Sequence, residues 1–509
     1  MPFVSHPWLN DSVIEQREYQ EKIVQTALTG NTLCVLPTGL GKTNIAAIVC
    51  AERLKDNVNG KILFLAPTRP LVNQHKKNFE RFFKAGLKMR TVTGEEKPEN
   101  RVYLYKDVDI IFSTPQTIRN DLKNHSITLD NVILCIFDEA HRAVGNYAYP
   151  YVARRYMEQS RNPLILALTA SPGGHAHKIN EVKTKLFIKN VEIRTREDSD
   201  VKPYVQQLMR EWIKVELPTE LQTIRNYLEK IRGERISKLL SWKIINYPRP
   251  SKTDLLKIQN ELAKKRSGFA YAAMSVIAEV IKIDHALMLL ETQCLHSLNS
   301  YFDKLLNEKS KATQRLLANA DFRNAMRLTN ELINEGKEHP KIAALKDFVV
   351  KELSDEDARI IIFAQLRDTI EKIRLTLTDI KGAAPVEFIG QAKKKGKGMS
   401  QKEQLQIINE FSMGFYNILI ASQIGEEGLD IVETSAVVFY EPVPSAIRRI
   451  QRTGRTARTK PGKVVVLMTK DSRDEAYYWS GHRKERKMYG ILYGMQRKIQ
   501  KGSLKDFMG

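Results

Sequence analysis

Between Asn31 and Ser171 the chain repeats one pattern: a short apolar run, a polar or glycine-rich break, then a helix-like stretch. The runs are Thr32 to Leu36, Lys61 to Ala66, Val108 to Ser113, Val132 to Asp138 and Pro163 to Leu168. They are rich in Ile, Val, Leu and Phe without strict alternation, as expected of strands buried on both faces of a parallel sheet. The pattern restarts at Arg359 to Ala364 and continues through Val386 to Ile389, Asn417 to Ala421, Ala436 to Tyr440 and Val464 to Met468. Two α/β domains are expected. From roughly Lys202 to Glu338 apolar residues recur at helical spacing, and Met274 to Leu290 lacks Pro and Gly, which predicts a helical insert. Ser251, three residues ahead of Asp254, predicts a capping-box helix start. The expected partition is 1–200, 201–338 for the insert, and 339–509.

Parallel sheets bind ligands at the carboxyl ends of their strands. In the first domain those ends read PTGLGKT, APTRP, STPQT, DEAH and TAS, all on one sheet edge. In the second they read AQLRD, SQIGEEGLDI and QRTGRTAR, with no phosphate-binding loop. Lys393 to Gly398 (KKKGKG) reads as a basic surface loop.

At 509 residues the chain exceeds one hydrophobic core. The apolar fraction of 42% and charged fraction of 28% fit a folded chain rather than a disordered one. No segment is apolar enough over a bilayer's width, and the N-terminus lacks a secretory pattern, so an intracellular protein with no membrane partner is expected. The four cysteines, Cys34, Cys50, Cys135 and Cys294, have no C-x-x-C spacing and read as buried reduced thiols. The net charge of +22 points to a polyanionic partner, although charge alone does not separate nucleic acid from other possibilities.

Pro37-Thr38-Gly39-Leu40-Gly41-Lys42-Thr43 lies between a strand and a helix, the context a phosphate loop requires. Its glycines let backbone N–H groups close on phosphate oxygens, Lys42 reaches the β- and γ-phosphates, and Thr43 ligates magnesium. The usual first Gly is replaced by Leu36, giving the tighter form of the loop. Asp138 and Glu139, at a strand end, suit magnesium binding and polarisation of an attacking water, so ATP and Mg2+ are the expected cofactors. The sequence DEAH is not H-E-x-x-H, which excludes that metalloprotease reading. Thr169-Ala170-Ser171 alone is a short turn. In Gln451 to Arg458, spacing of three puts Arg452, Arg455 and Arg458 on one face if the segment is helical. Guanidiniums there suit either a γ-phosphate during hydrolysis or a phosphodiester, the latter for Arg452.

With these motifs the chain resembles a superfamily 2 helicase with a DEAH box. The resemblance implies two RecA-like domains. It implies a Q-motif in Arg17 to Gln20, with Arg17 and Gln20 at the nucleotide and Gln20 reading adenine. It implies backbone contacts to nucleic acid from Thr68, Arg69, Thr114, Pro115, Gln365 and Ser422. Gly428 and Asp430 would line the nucleotide cleft; Gln451, Arg455 and Arg458 join Lys42, Asp138 and Glu139 in the catalytic set, the two arginines as fingers. GMSQKEQ, SQIGEEGLDI and YEPVPSAIRRIQRTGRTAR, with the insert, resemble the archaeal Hef and Fanconi anaemia M group helicases. That family acts on forked and branched DNA, such as stalled replication forks and Holliday junctions, which implies DNA repair and recombination. Its insert is thumb-like, implying a branch-point grip. Single-stranded DNA and a nuclease domain or partner outside this chain are also implied. Glu485-Arg486-Lys487 echoes the family's nuclease signature, but Ile491 stands where it needs Asp, so no nuclease is expected here. Two other readings remain: a double-stranded-RNA-stimulated ATPase of the RIG-I-like or Dicer type, and an ATP-switched DNA clamp without unwinding.

Overall fold

The computed structural model describes residues 2–57, 59–391, 398–425, 431–457 and 460–507. The first domain holds seven strands: β1 (Thr32–Val35), β2 (Lys61–Leu65), β3 (Met89–Val92), β4 (Ile110–Ser113), β5 (Val132–Phe137), β6 (Ile165–Thr169) and β7 (Asn190–Ile193). They pair in parallel in the order β3-β4-β2-β5-β6-β1-β7. The second sheet holds β8 (Leu208–Val215), β9 (Ile360–Phe363), β10 (Pro385–Phe388), β11 (Ile418–Ala421), β12 (Ala436–Phe439) and β13 (Gly462–Thr469). It is also parallel, in the order β10-β11-β9-β12-β13-β8. The interior strands β1, β5, β6, β9, β11 and β12 are buried at every position, as their unbroken apolar runs require. Every strand end carrying a motif therefore lies on the carboxyl edge of its sheet.

β3, β7 and β8 have no counterpart among the ten apolar runs, and all three are edge strands. An edge strand has fewer buried positions, so its sequence carries charges, as in MRTV and LMREWIKV. β8 lies within the span 201–338 and pairs along its whole length with β13 of the second sheet, from Leu208 opposite Gly462 to Val215 opposite Thr469.

The rest of the insert is helical: Thr219–Ser241, Lys252–Lys265, Gly268–Thr292, Leu295–Leu306, Lys311–Ala318 and Ala320–Asn334. Ser251 and Asp254 form the expected capping box. Ile224, Leu228, Leu287, Leu298 and Phe302 close the core of this bundle. Its buried Glu279 is held by Arg235 at 2.6 Å and Arg315 at 3.3 Å. No helix among the described residues is long and apolar enough to cross a membrane. All four cysteines are buried and unpaired, and burial pushes the Cys34 thiol up to about 12.

The last helix, Arg473–Phe507, joins all three units. At its start Arg473 pairs with Asp284 and Glu291 of the bundle at 3.1 and 3.0 Å. Midway, Glu485 pairs with Arg449 at 3.4 Å. Further on, Met488 and Leu492 enter the core of the first sheet, and the Tyr493 hydroxyl donates to Asp198 at 2.6 Å. Residues expected within the second domain thus finish as a strap on the first, because their apolar stripe is buried there.

Under the second sheet's carboxyl edge, Glu441 is buried beside Arg452, Lys341 and Asp474. Burial, reinforced by Asp474 and opposed by Arg452 and Lys341, pushes its carboxyl up to about 7. The unfolded chain releases this proton near the ordinary value of 4.5 while the folded chain keeps it, so stability falls as pH rises from there to about 7. Glu441→Gln is therefore expected to stabilise the chain at pH 8, by roughly 1–3 kcal/mol, and to leave it nearly unchanged at about pH 4. Urea unfolding at the two pH values checks this; equal effects at both would remove the buried proton.

Candidate functional site

The phosphate loop joins β1 to the helix Lys42–Asp56. Gly39 and Gly41 adopt φ of +88° and +77°, backbone that side chains with a Cβ resist, and a Cβ on Gly41 would collide with the Gln20 amide. The loop is braced from behind: the Tyr19 hydroxyl donates to Leu40 O at 2.8 Å, and the Gln20 amide to the same oxygen at 3.2 Å. Gln20 is buried, and its Oε1 has no hydrogen-bond partner among the described residues. Arg17 lies over the Tyr204 ring at 5.6 Å and pairs with Glu15 at 2.9 Å. Pro37 and Thr38 are partly exposed, Gly39 is exposed, and the Lys42 ammonium donates to Leu36 O at 2.9 Å. Thr43 is the second residue of that helix.

Asp138 follows β5 and is buried. Its Oδ2 lies 2.8 Å from His75 Nε2 on the helix Arg69–Phe82. Burial pushes this carboxyl up, but the His75 hydrogen bond and the charges of His75 and Lys42 outweigh it and hold the group below the ordinary range. A charged carboxylate beside the phosphate loop fits a bound cation. Glu139 takes left-handed backbone at φ 48°. His141 Nδ1 lies 3.2 Å from Glu139 Oε2 and 3.2 Å from Thr169 Oγ1. Thr169 Oγ1 accepts from Ser171 N at 3.1 Å, and the Ser171 hydroxyl meets Met488 of the strap. The turn that looked empty in sequence is therefore wired to the acidic motif. His75 and Met488 were missed because no local spacing marks them; His141 and Thr169 lie in motifs the sequence shows, but only the fold brings the two motifs together.

Across the cleft, the helix Ala446–Thr453 ends with Gly454 so near Thr38 that any side chain at 454 would strike it. Gln451 and Arg455 are buried at this junction. Arg452 differs from expectation. It is fully buried, with its guanidinium 4.8 Å from the Phe363 ring and 5.6 Å from Phe439, and offers no surface to a phosphodiester. Arg458, Gly428, Asp430 and Lys393 to Lys397 lie outside the described residues.

Of the remaining strand-end residues, Thr68 caps the Arg69–Phe82 helix, and Arg69 pairs with Glu95 at 2.8 Å. Thr114 bonds Thr117 at 2.8 Å, Pro115 is buried as the next helix's first residue, and Arg69 and Thr114 line one open groove. Gln365, after β9, is exposed; Ser422, after β11, donates its N–H to Phe388 O at 2.9 Å.

Two parallel-sheet lobes facing each other over a phosphate loop, with a helical bundle between them in sequence, define a superfamily 2 helicase motor. Family models agree: DEAD/DEAH box helicase over residues 17–179, helicase conserved C-terminal domain over 340–460, and the helical bundle of ATP-dependent RNA helicases over 220–334. The chain belongs to the Hef and Fanconi anaemia M group helicase family. It is similar to the crystal structure of the Pyrococcus furiosus Hef helicase domain, with 41% identity and a TM-score of 0.73 over 93% of this chain and 99% of that one. It is 40% identical to a Methanocaldococcus jannaschii protein named as an ATP-dependent RNA helicase, over 97% of this chain and 63% of that protein. It is 33% identical to the ATP-dependent DNA helicase MPH1 of Pyricularia oryzae (91% and 44%), and 30% identical to the Fanconi anemia group M protein homolog of Mus musculus (97% and 26%). The chain thus spans between a quarter and about two thirds of these relatives' lengths.

Proposed function

We propose that this chain hydrolyses ATP to move along DNA and remodels forked and branched DNA, including stalled forks and Holliday junctions. The observation that carries the reading is the junction of Gly454 with Thr38, which sets the arginine-bearing helix against the phosphate loop. In this reading Pro37 to Thr43 cradle the phosphates, Arg17 and Gln20 hold the base, and the open Gln20 oxygen accepts a donor on it. Thr43 and Asp138 hold Mg2+, which neutralises phosphate charge when bound. Glu139 orients water, with Gln451 and Arg455 facing the site from the second lobe, as would Arg458, Gly428 and Asp430. Thr68, Arg69, Thr114, Pro115, Gln365 and Ser422 grip the strand backbone, and the helical insert, the middle of the units expected at 1–200, 201–338 and 339–509, meets the branch point. The net charge of +22 supports a phosphate-dominated grip. A nuclease partner and an intracellular location accompany this reading.

The test is ATP hydrolysis with single-stranded DNA, duplex DNA, forked DNA and duplex RNA at matched phosphate. Forked DNA is expected to stimulate most, with affinity falling steeply as salt rises. Stimulation by duplex RNA alone would replace this reading with the RIG-I-like one, and DNA binding without turnover would replace it with the clamp.

A further inference from the structure

Where the strap crosses between the lobes it roofs a cavity of about 340 Å³, within the size range of small-molecule sites. The floor is the inner face of β13 (Val464, Val466) and the helix Ala446–Thr453; one wall is β8, and the opposite one is Thr195 to Glu197 of the first lobe. Pro37 and Thr38 touch one end, but Gln20, Lys42, Asp138 and Glu139 do not line it, nor do any of the strand-grip residues. It thus adjoins the phosphate loop at Pro37 and Thr38 but lies apart from Gln20, Lys42, Asp138 and Glu139 and from the strand-grip side chains, and the proposed mechanism gives its aromatic and arginine lining no role.

The close crossing that makes this roof depends on Gly481, where a Cβ would come 2.6 Å from Val443 O. The lining is mostly apolar and strongly aromatic. The Trp212 ring stands edge-on to Tyr478 at 6.2 Å, and the Tyr478 and His482 rings stack at 6.3 Å. Four guanidiniums face the space against two carboxylates, Glu197 and Glu485. Arg449 is paired with Glu485 and lies 5.0 Å over Tyr478, and Arg196 donates to Ala457 O at 3.0 Å. Arg210 and Arg486, both exposed, have no carboxylate at ion-pairing distance among the described residues. His482 is held below its ordinary range, first by burial and then by Arg449, with Arg486 and Arg210 adding and Glu485 opposing. Flat apolar walls with unpaired guanidiniums at the mouth match one ligand chemistry: ring faces for stacking, and donors for an acidic group.

We propose that this cavity is a second ligand site, binding a small planar aromatic acid with its ring against Trp212 and Tyr478 and its acidic group on Arg210 and Arg486. The walls belong to both lobes and the strap, so occupancy depends on lobe spacing and is linked to the lobes' opening and closing. This goes beyond the proposed DNA remodelling and does not depend on it.

The full chain is titrated with anilinonaphthalene sulfonate, a planar aromatic sulfonate whose emission rises on leaving water. One saturable site per chain is expected, still filled at saturating ATP and Mg2+. Arg210→Glu with Arg486→Glu is expected to weaken it by about tenfold or more. Phe269→Ser with Tyr271→Ser, which removes exposed rings of the insert, leaves it unchanged. Energy transfer from tryptophan to the probe should drop in Trp212→Phe, a readout that does not require the arginine variant to fold. Competitive displacement by ATP, equal binding to the arginine variant, or unchanged transfer in Trp212→Phe would each overturn the assignment.

Discussion

Replacing Lys42 by alanine is expected to bring DNA-stimulated ATP turnover down by about 10³-fold or more while the chain stays folded. Lys42 stands at the first position of the helix behind a loop whose two glycines hold left-handed backbone. Its ammonium reaches back to Leu36 O, inside the same loop, at 2.9 Å. Phosphoryl transfer depends on positioning and charge neutralisation more than on covalent help, so in the proposed role of Lys42 the loss of this cation is expected to remove catalysis directly. The side chain is only partly buried, and the loop keeps its bracing from Tyr19 and Gln20, so the unfolding midpoint should not move. Steady-state hydrolysis at saturating DNA, with unfolding followed in parallel, measures both. Turnover near the parent rate in Lys42→Ala would place hydrolysis outside this loop.

Lys341→Ala is expected to cost about 3–5 kcal/mol of stability, the range for breaking a buried ion pair from one side. Lys341 and Asp474 are fully buried and paired. The ammonium also donates to Thr292 O at 3.3 Å and Tyr440 O at 3.1 Å, and lies 5.4 Å over the Tyr440 ring. One side chain thus ties the end of a bundle helix, the end of β12 and the start of the strap. Its removal leaves the Asp474 carboxylate buried next to Glu441 without its cation. Lys341→Met with Asp474→Leu removes both charges together and should recover most of the loss. Urea unfolding of the transition that includes the second sheet, with hydrogen exchange on the strap, measures this. A loss below about 1 kcal/mol in Lys341→Ala would show that water reaches the pair in solution.

Much of the architecture was legible in the residue pattern. Ten apolar runs correspond to ten strands, because strands covered on both faces need unbroken apolar sequence. The Ser251 capping box was legible because its partners are three residues apart. β3, β7 and β8 were hidden because edges tolerate charge, and β8 looked like part of the insert although its pairing partner β13 begins some 250 residues later. Arg452 misled for a related reason. Its spacing matches Arg455, but spacing cannot tell a guanidinium facing the cleft from one stacked between Phe363 and Phe439.

What the sequence by itself determined is everything set by neighbours along the chain: the parallel strands, the phosphate loop between strand and helix, and the acidic pair at a strand end. Only the tertiary structure decided which distant groups meet. It put His75 on Asp138, wired His141 through Thr169 and Ser171 to Met488, and carried the last helix from the second lobe back to the first. Local elements follow from short-range sterics and hydrogen bonding, which a linear pattern records. Contacts between residues tens to hundreds of positions apart follow from which surfaces bury each other, and no local spacing records that.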